Sequence, residues 1–216
     1  MSDVDPALGL ARRLAQAVHD ERVLGAIASV PRMRFVPEPE RERAYENVAL
    51  PIDCEQTISQ PLIVARMLEL LELRPTDRVL DVGTGSGYHA ALLSLLAEHV
   101  WSVERQPRLS AAAAGILAQL GRANVTCVVG DGWQGLAEQG PFDAINVAAA
   151  TGDEVPEALE RQLAPGGRLV VPVGGKRQHL VRVRRSAEGL RRERLDPVRF
   201  VPLVHGEVRP ARPRPT

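Results

Sequence analysis

Short apolar runs and amphipathic stripes alternate along most of the chain. RVLDV (78–82), VWSVE (100–104), NVTCVVGD (124–131), FDAINV (142–147) and GGRLVVPVG (166–174) are brief, rich in β-branched residues and bounded by turn formers, the pattern of buried strands. Between them, GYHAALLSLLAEH (87–99), the alanine-rich segment 108–120 and GDEVPEALERQL (152–163) have helical propensity. Strands alternating with helices imply right-handed crossovers and a parallel sheet covered on both faces. The end of the chain differs. HLVRVRR (179–185) and VRFVPLV (198–204) are separated only by charged residues, which predicts two strands forming an antiparallel C-terminal edge.

Upstream, Leu10, Leu14 and Val18 recur at one-turn spacing, so residues 6–30 read as two short helices with Asp20 capping the second. The proline-rich, charged segment 31–51 reads as a long surface connection with a short helix near Glu40 to Tyr45. The fold class expected is therefore α/β, a Rossmann-like, mostly parallel sheet. The expectation is a single domain over residues 1–216: N-terminal helices and a substrate-side segment at 6–60, a core at 61–206, and a flexible tail at 207–216.

Composition narrows the function. Lys plus Arg and Asp plus Glu are 27 each, which gives no global attraction to nucleic acid or an anionic membrane. Aromatic residues are 3%, too few for a base-stacking platform. The basic run 182–194 fits a solvated hairpin turn better than a nucleic-acid site. Cys54 and Cys127 form neither a disulfide framework nor a Cys-x-x-Cys site, and the N-terminus lacks a signal-peptide core. A cytoplasmic monomer is the expectation. The five histidines have no metal-ligand spacing, so no metal is expected. A catalytic role for the Cys54 thiol is not expected, since no charge partner is evident.

The candidate chemistry begins at DVGTGSGY (81–88), where the first strand of the alternation meets its helix. Gly83, Gly85 and Gly87 permit a tight turn and close approach of a ligand to the backbone, with Thr84 and Ser86 between them. The spacing is G-x-G-x-G, with Tyr88 where a dinucleotide fingerprint places its third glycine, which argues against nicotinamide or flavin dinucleotides. Glu104 ends the second strand, where a carboxylate can accept both hydroxyls of a ribose. Asp131, followed by Gly132, ends the third and is a candidate acceptor for an adenine amino group. Asp81 precedes the glycines, where a ligand ammonium would sit. A ribose, an adenine and an amino-acid portion without a pyrophosphate fingerprint describe S-adenosyl-L-methionine.

LPI (50–52), QTISQP (56–61), VLDVGTGSGY (79–88), VWSVER (100–105), NVTCVVGDGWQG (124–135), PFDAINV (141–147), QLAPGGRLVVPVG (162–174) and RFVPLV (199–204) run in order over nearly the whole chain. This series closely resembles the protein-L-isoaspartate (D-aspartate) O-methyltransferases. The resemblance implies the class I methyltransferase fold and methyl transfer from S-adenosyl-L-methionine to the free α-carboxylate of isoaspartyl residues in damaged proteins. S-adenosyl-L-homocysteine would be the product, and the ester would close to a succinimide. It also implies that Ser59 is the active-site residue.

Chemistry shows why a hydroxyl suffices there. A carboxylate is ionised at neutral pH and needs no base before it attacks a sulfonium. The protein has to orient one oxygen and satisfy the other, and alignment of this kind is worth at most ~7–11 kcal/mol. No Gly-x-Ser-x-Gly elbow surrounds Ser59, so it is not read as a covalent nucleophile. The plainer role for Ser59 is a helix cap before Pro61, and the plainer role for Thr57 is a residue that favours extended backbone. Substrate is expected to lie extended between Thr57, Ile58, Ser59 and Gln60 on one side and a terminal strand bearing Leu203 and Val204 on the other.

Two features depart from the pattern of bacterial relatives. Their Ile-Gly-x-Gly lead-in is here Ile52-Asp53-Cys54-Glu55, and a threonine common after the fourth strand is here Ala148. An ionised Glu55 about 5 Å from the substrate carboxylate would repel it by roughly 3 kcal/mol, but one facing water would cost little. These departures keep two alternatives open: a methyltransferase repurposed for one specific carboxylate, and a binding module that holds cofactor and isoaspartyl sites without turnover.

Overall fold

The computed structural model describes residues 5–206, so the tail expected at 207–216 lies outside the described residues. Helices α1 (Pro6–Leu14) and α2 (Glu21–Ser29) open the chain, and the Asp20 carboxylate accepts from the N–H groups of Arg22 and Val23. A small antiparallel pair follows, β1 (Leu50–Pro51) with β2 (Thr57–Ile58), and then α3 (Pro61–Leu71). The core alternates β3 (Arg78–Val82), α4 (Tyr88–Leu93), β4 (His99–Glu104), α5 (Pro107–Gln119), β5 (Val125–Val129), β6 (Phe142–Val147), α6 (Glu157–Arg161) and β7 (Leu163–Val173). Strands β8 (Gln178–Ser186) and β9 (Gly189–Val198) end it.

The seven-stranded sheet has the order β5-β4-β3-β6-β7-β8-β9. Strands β3 to β7 are mutually parallel, whereas β8 and β9 are antiparallel. Period-two alternation divides the core. Val79, Ala144, Val170 and Leu180 face the layer built with α1 to α5. Leu80, Val82, Ile145, Val147, Leu169 and Val171 face the other layer, with Leu159 of α6. The chain leaves β3 first toward β4 and later returns to β6 on the opposite side, so the carboxyl ends of β3 and β6 form the topological switch point where open sheets bind ligands.

Three expectations are corrected. Residues 31–51 run largely exposed but are pinned to the core: two 3-10 turns, Arg32–Phe35 and Glu38–Arg43, replace the single short helix expected, and Arg32, Phe35, Val36, Ala44 and Leu50 are buried. The helices after β3 and β6 are much shorter than their apolar patterns suggest, and Pro156 sets the start of α6. The last strand is GLRRERLDPV, not VRFVPLV. Its charges stay on an exposed edge, where Arg182 pairs with Glu193, and Arg192 makes two hydrogen bonds to Glu160 at 2.8 and 2.6 Å. Charge on an edge strand also discourages pairing with another chain. Residues 199–204 instead cross the carboxyl ends of the sheet, held by Ala150 N–H to Val201 O (2.8 Å) and Leu203 N–H to Ala150 O (2.7 Å).

Candidate active site

The glycine turn is built from its own main chain. The N–H groups of Gly83 and Thr84 both donate to Val103 O, and Gly87 N–H donates to Thr84 O at 2.8 Å. Gly83, Gly85 and Gly87 have φ of 88°, 52° and 87°, the left-handed region that glycine occupies without steric cost. Thr84, Ser86 and Gly87 shape this turn and do not line the cavity beside it. The Thr84 and Ser102 hydroxyls lie 2.6 Å apart, and the Ser86 hydroxyl accepts from Tyr88 N–H.

Beside the turn is a cavity of about 400 Å³ whose wall includes Gly83, Gly85, Glu104, Gly132, Leu203 and Val204. Glu104 is almost fully buried there. One of its carboxylate oxygens accepts from Gly85 N–H and the other from Gln106 N–H, both at 2.9 Å. Each oxygen keeps further lone-pair capacity, so the carboxylate is fixed in place and can still accept two ligand hydroxyls. Gly132 is glycine for a spatial reason: a Cβ there would come 2.5 Å from Val82 Cγ1. A cavity of this size, floored by glycine and alanine and carrying one anchored carboxylate, fits a nucleoside with a short polar arm.

Asp81 does not reach this cavity. It is fully buried, with Ser102 Oγ donating at 2.7 Å and Asn146 Nδ2 at 2.8 Å. Burial pushes its carboxyl up to about 6, against the pull of these two donors. Its place is beneath the turn, as a support. Asp131 is also engaged elsewhere, accepting from Trp133 N–H and Gly206 N–H at 3.0 Å, with His205 Nδ1 2.9 Å away. Only its neighbour Gly132 enters the wall.

A second cavity of about 750 Å³ lies alongside, lined by Thr57, Ser59, Gln60 and Ile63 and by residues 197–201. Thr57, Ala148 and Val201 belong to both walls. Ile58 points into the core and is 3% exposed. Leu203 and Val204, expected on the peptide side, line the first cavity instead, and segment 197–201 takes the place expected for them. Pro197 and Val198 end β9, whereas 199–201 lie outside the sheet, and the Gln178 side chain bonds both Phe200 N–H (2.6 Å) and Phe200 O (3.2 Å).

Ser59 is not the helix cap. Gln60 occupies that position without a side-chain bond, and Asn47 Oδ1 caps α3 from a distance by accepting from Leu62 N–H at 3.0 Å. Among the described residues Ser59 Oγ makes no hydrogen bond, while its main-chain oxygen accepts from Arg32 Nη2 at 2.9 Å. The residues that sequence reasoning missed are Arg32 and Gln56, together with Pro197 and Val198; Arg199, Phe200 and Val201 belong to the RFVPLV segment (199–204) expected on the peptide side. A positive charge in a charged stretch carries no sign of burial, and Gln56 carried only the motif.

The two acids at 53 and 55 lie outside both cavity walls. Asp53 pairs with Arg108 Nη2 at 2.6 Å, clasping the β1–β2 loop to α5. Glu55 is exposed with φ 58°, and Cys54 precedes it at 57°. A left-handed glutamate is strained by its Cβ, so Glu55→Gly is expected to stabilise the protein by about 0.5–1 kcal/mol. In a chain of this size that raises Tm by roughly 1–4 °C. A thermal melt with Tm unchanged or lowered would contradict this.

Among the described residues no helix is long and apolar enough to cross a membrane, and no cluster of metal-ligating side chains is present. The family model described as protein-L-isoaspartate(D-aspartate) O-methyltransferase (PCMT) matches residues 9–208. The chain is 54% identical over 194 residues to the protein-L-isoaspartate O-methyltransferase of Roseiflexus castenholzii (strain DSM 13941 / HLO8), covering 89% of this chain and 88% of that protein. It is 50% identical over 208 residues to that of Sodalis glossinidius (strain morsitans), covering 96% of this chain and 100% of the relative. Among solved structures, a protein-L-isoaspartate O-methyltransferase superposes with a TM-score of 0.83 at 31% identity, over 93% of this chain and 66% of the other. A beta-aspartate methyltransferase from Plasmodium falciparum, in complex with S-adenosyl-L-homocysteine, gives 0.80 at 26% identity, over 92% and 98%.

Proposed function

The chain belongs to the protein-L-isoaspartate(D-aspartate) O-methyltransferase family, and from that premise we propose how its own residues divide the work. Its reaction is methyl transfer from S-adenosyl-L-methionine to the α-carboxylate of isoaspartyl residues, the first step of protein repair. The observation that carries the assignment of roles is the pair of cavities meeting at Thr57, Ala148 and Val201.

The smaller cavity fits the cofactor. Glu104 would hold its ribose hydroxyls, and Gly83, Gly85 and Gly132 would let the backbone approach it. When bound, the cofactor supplies a methyl group on a cationic sulfur. The larger cavity would take the isoaspartyl peptide, extended along residues 57–60 and 197–201. Ser59 Oγ and Thr57 Oγ1 are the donors for one carboxylate oxygen, leaving the other to face the shared wall. No protein base is required, since the carboxylate enters ionised. Ala148 adds no hydroxyl to that wall, so Thr57 and Ser59 carry the positioning. With Glu55 outside both walls, the repulsion weighed from sequence has no source there.

Net neutrality and sparse aromatic residues give no attraction to nucleic acid or an anionic membrane, and the reading adopted is a monomer acting on peptides in the cytoplasm. Ser59→Ala removes one hydrogen bond to a charged group, worth about 1.5–3 kcal/mol. The expected result is a loss of about tenfold or more in kcat/KM for an isoaspartyl peptide, with S-adenosylhomocysteine affinity unchanged. Initial rates beside calorimetric titration test this, and an equally fast variant would remove Ser59 from the mechanism.

A further inference from the structure

Arg32 is fully buried on the 3-10 turn before the substrate segment. Its Nε donates to Ala44 O at 2.8 Å and its Nη2 to Ser59 O at 2.9 Å. The guanidinium carbon lies 4.9 Å from the centre of the buried Tyr88 ring, which itself packs edge-on against Phe35 at 5.4 Å. No carboxylate pairs with Arg32 among the described residues. Burial lowers its pKa to about 10, so the group stays charged at neutral pH.

A buried cation without an anion is costly to desolvate, so it is kept only where other groups replace the water it loses. Its bonds suggest what retains it. The planar fork joins two carbonyls from separate segments, a geometry that lysine cannot reproduce. One of those carbonyls belongs to Ser59, which lines the peptide cavity. The charge sits one hydrogen bond behind that residue, on the protein side of a site that takes an anion.

We propose that Arg32 is a positioning residue for the reaction: it fixes the Thr57–Gln60 backbone through Ser59 O and sets a positive potential behind the substrate carboxylate. This rests on the reading of Ser59 as a carboxylate holder. Because the partners of Arg32 lie on the peptide side, the cofactor cavity should not register its loss.

The test uses Arg32→Met and Arg32→Lys in the full chain, at a temperature where each variant is folded by circular dichroism. Amide hydrogen exchange over residues 57–60 is expected to quicken at least tenfold in Arg32→Met relative to wild type. S-adenosylhomocysteine affinity should stay within twofold. For an isoaspartyl peptide kcat/KM should fall at least tenfold, chiefly through KM, and Arg32→Lys should recover part of the KM loss but not the slow exchange. Exchange unchanged at 57–60, kcat/KM within twofold of wild type, or a parallel loss of cofactor affinity would each overturn the proposal. If Arg32→Met does not fold, Arg32→Lys decides by the exchange measurement alone. Wild-type turnover in the same assay separates failure of this inference from failure of the Ser59 reading.

Discussion

Glu104→Gln should lose at least about 100-fold in affinity for S-adenosylhomocysteine while remaining folded. Both carboxylate oxygens already accept a main-chain N–H, from Gly85 and Gln106. An amide in this position must turn its NH2 toward one of those donors, so the side chain either rotates out of place or leaves an N–H unsatisfied. It also loses the charge that strengthens hydrogen bonds to ligand hydroxyls. Two such bonds at ~1.5–3 kcal/mol each amount to roughly two or more orders of magnitude in binding. Calorimetric titration measures the effect directly. A loss of less than fivefold would mean that the anchored carboxylate is not the ribose holder.

The second large effect is on stability and arises at the opposite end of the sheet. Arg168 of β7 and Asp77, just before β3, are both almost fully buried and form an ion pair. Arg168 also donates to the carbonyls of Leu71, Glu72 and Asp143, so one guanidinium ties the end of α3 to β6 and β7. Asp77 Oδ2 accepts in addition from Arg74 N–H at 2.8 Å. Asp77→Ala leaves a buried charge without its anion. Removal of one partner from such a pair is strongly destabilising, and with three carbonyls still in place the cost is expected at the lower end, about 3 kcal/mol. Tm should fall by roughly 6–12 °C. The ligand cavities lie at the carboxyl ends of the strands, so cofactor affinity at 20 °C should not change. A Tm within 2 °C of wild type would show that the pair is compensated elsewhere.

Most of the sheet was legible because its determinants are local. Five apolar runs each fit one strand, and glycines at 83, 85 and 87 mark a turn that only a few conformations allow. Glu104 was legible as a strand-end acid beside the glycine turn, and it lines the smaller cavity there. The errors arose where long-range contacts override local character. Strand β9 is written in Arg and Glu, which read as solvated turn, and its pairing with β8 and with Glu160 makes it a strand. Arg32 and Arg168 look like surface charges in sequence, yet both are buried because carbonyls from distant segments converge on them. Asp81 and Asp131 were rightly placed at strand ends, but which way a carboxylate turns depends on Asn146, Ser102, His205 and Gly206, up to 75 residues away in sequence. The RFVPLV segment was rightly placed beside the peptide cavity at Arg199 to Val201, but it is not a strand of the sheet, which ends at Val198, and its Leu203 and Val204 turn to the other cavity.

Methyl ester formation on paired peptides tests the central claim most directly. Two peptides of the same sequence, one with isoaspartate and one with aspartate at a single position, are incubated with wild-type protein and labelled S-adenosyl-L-methionine. The predicted result is saturable transfer to the isoaspartyl peptide and little transfer to its aspartyl twin. Equal transfer to both, or none to either by a folded protein that binds S-adenosylhomocysteine, would contradict it.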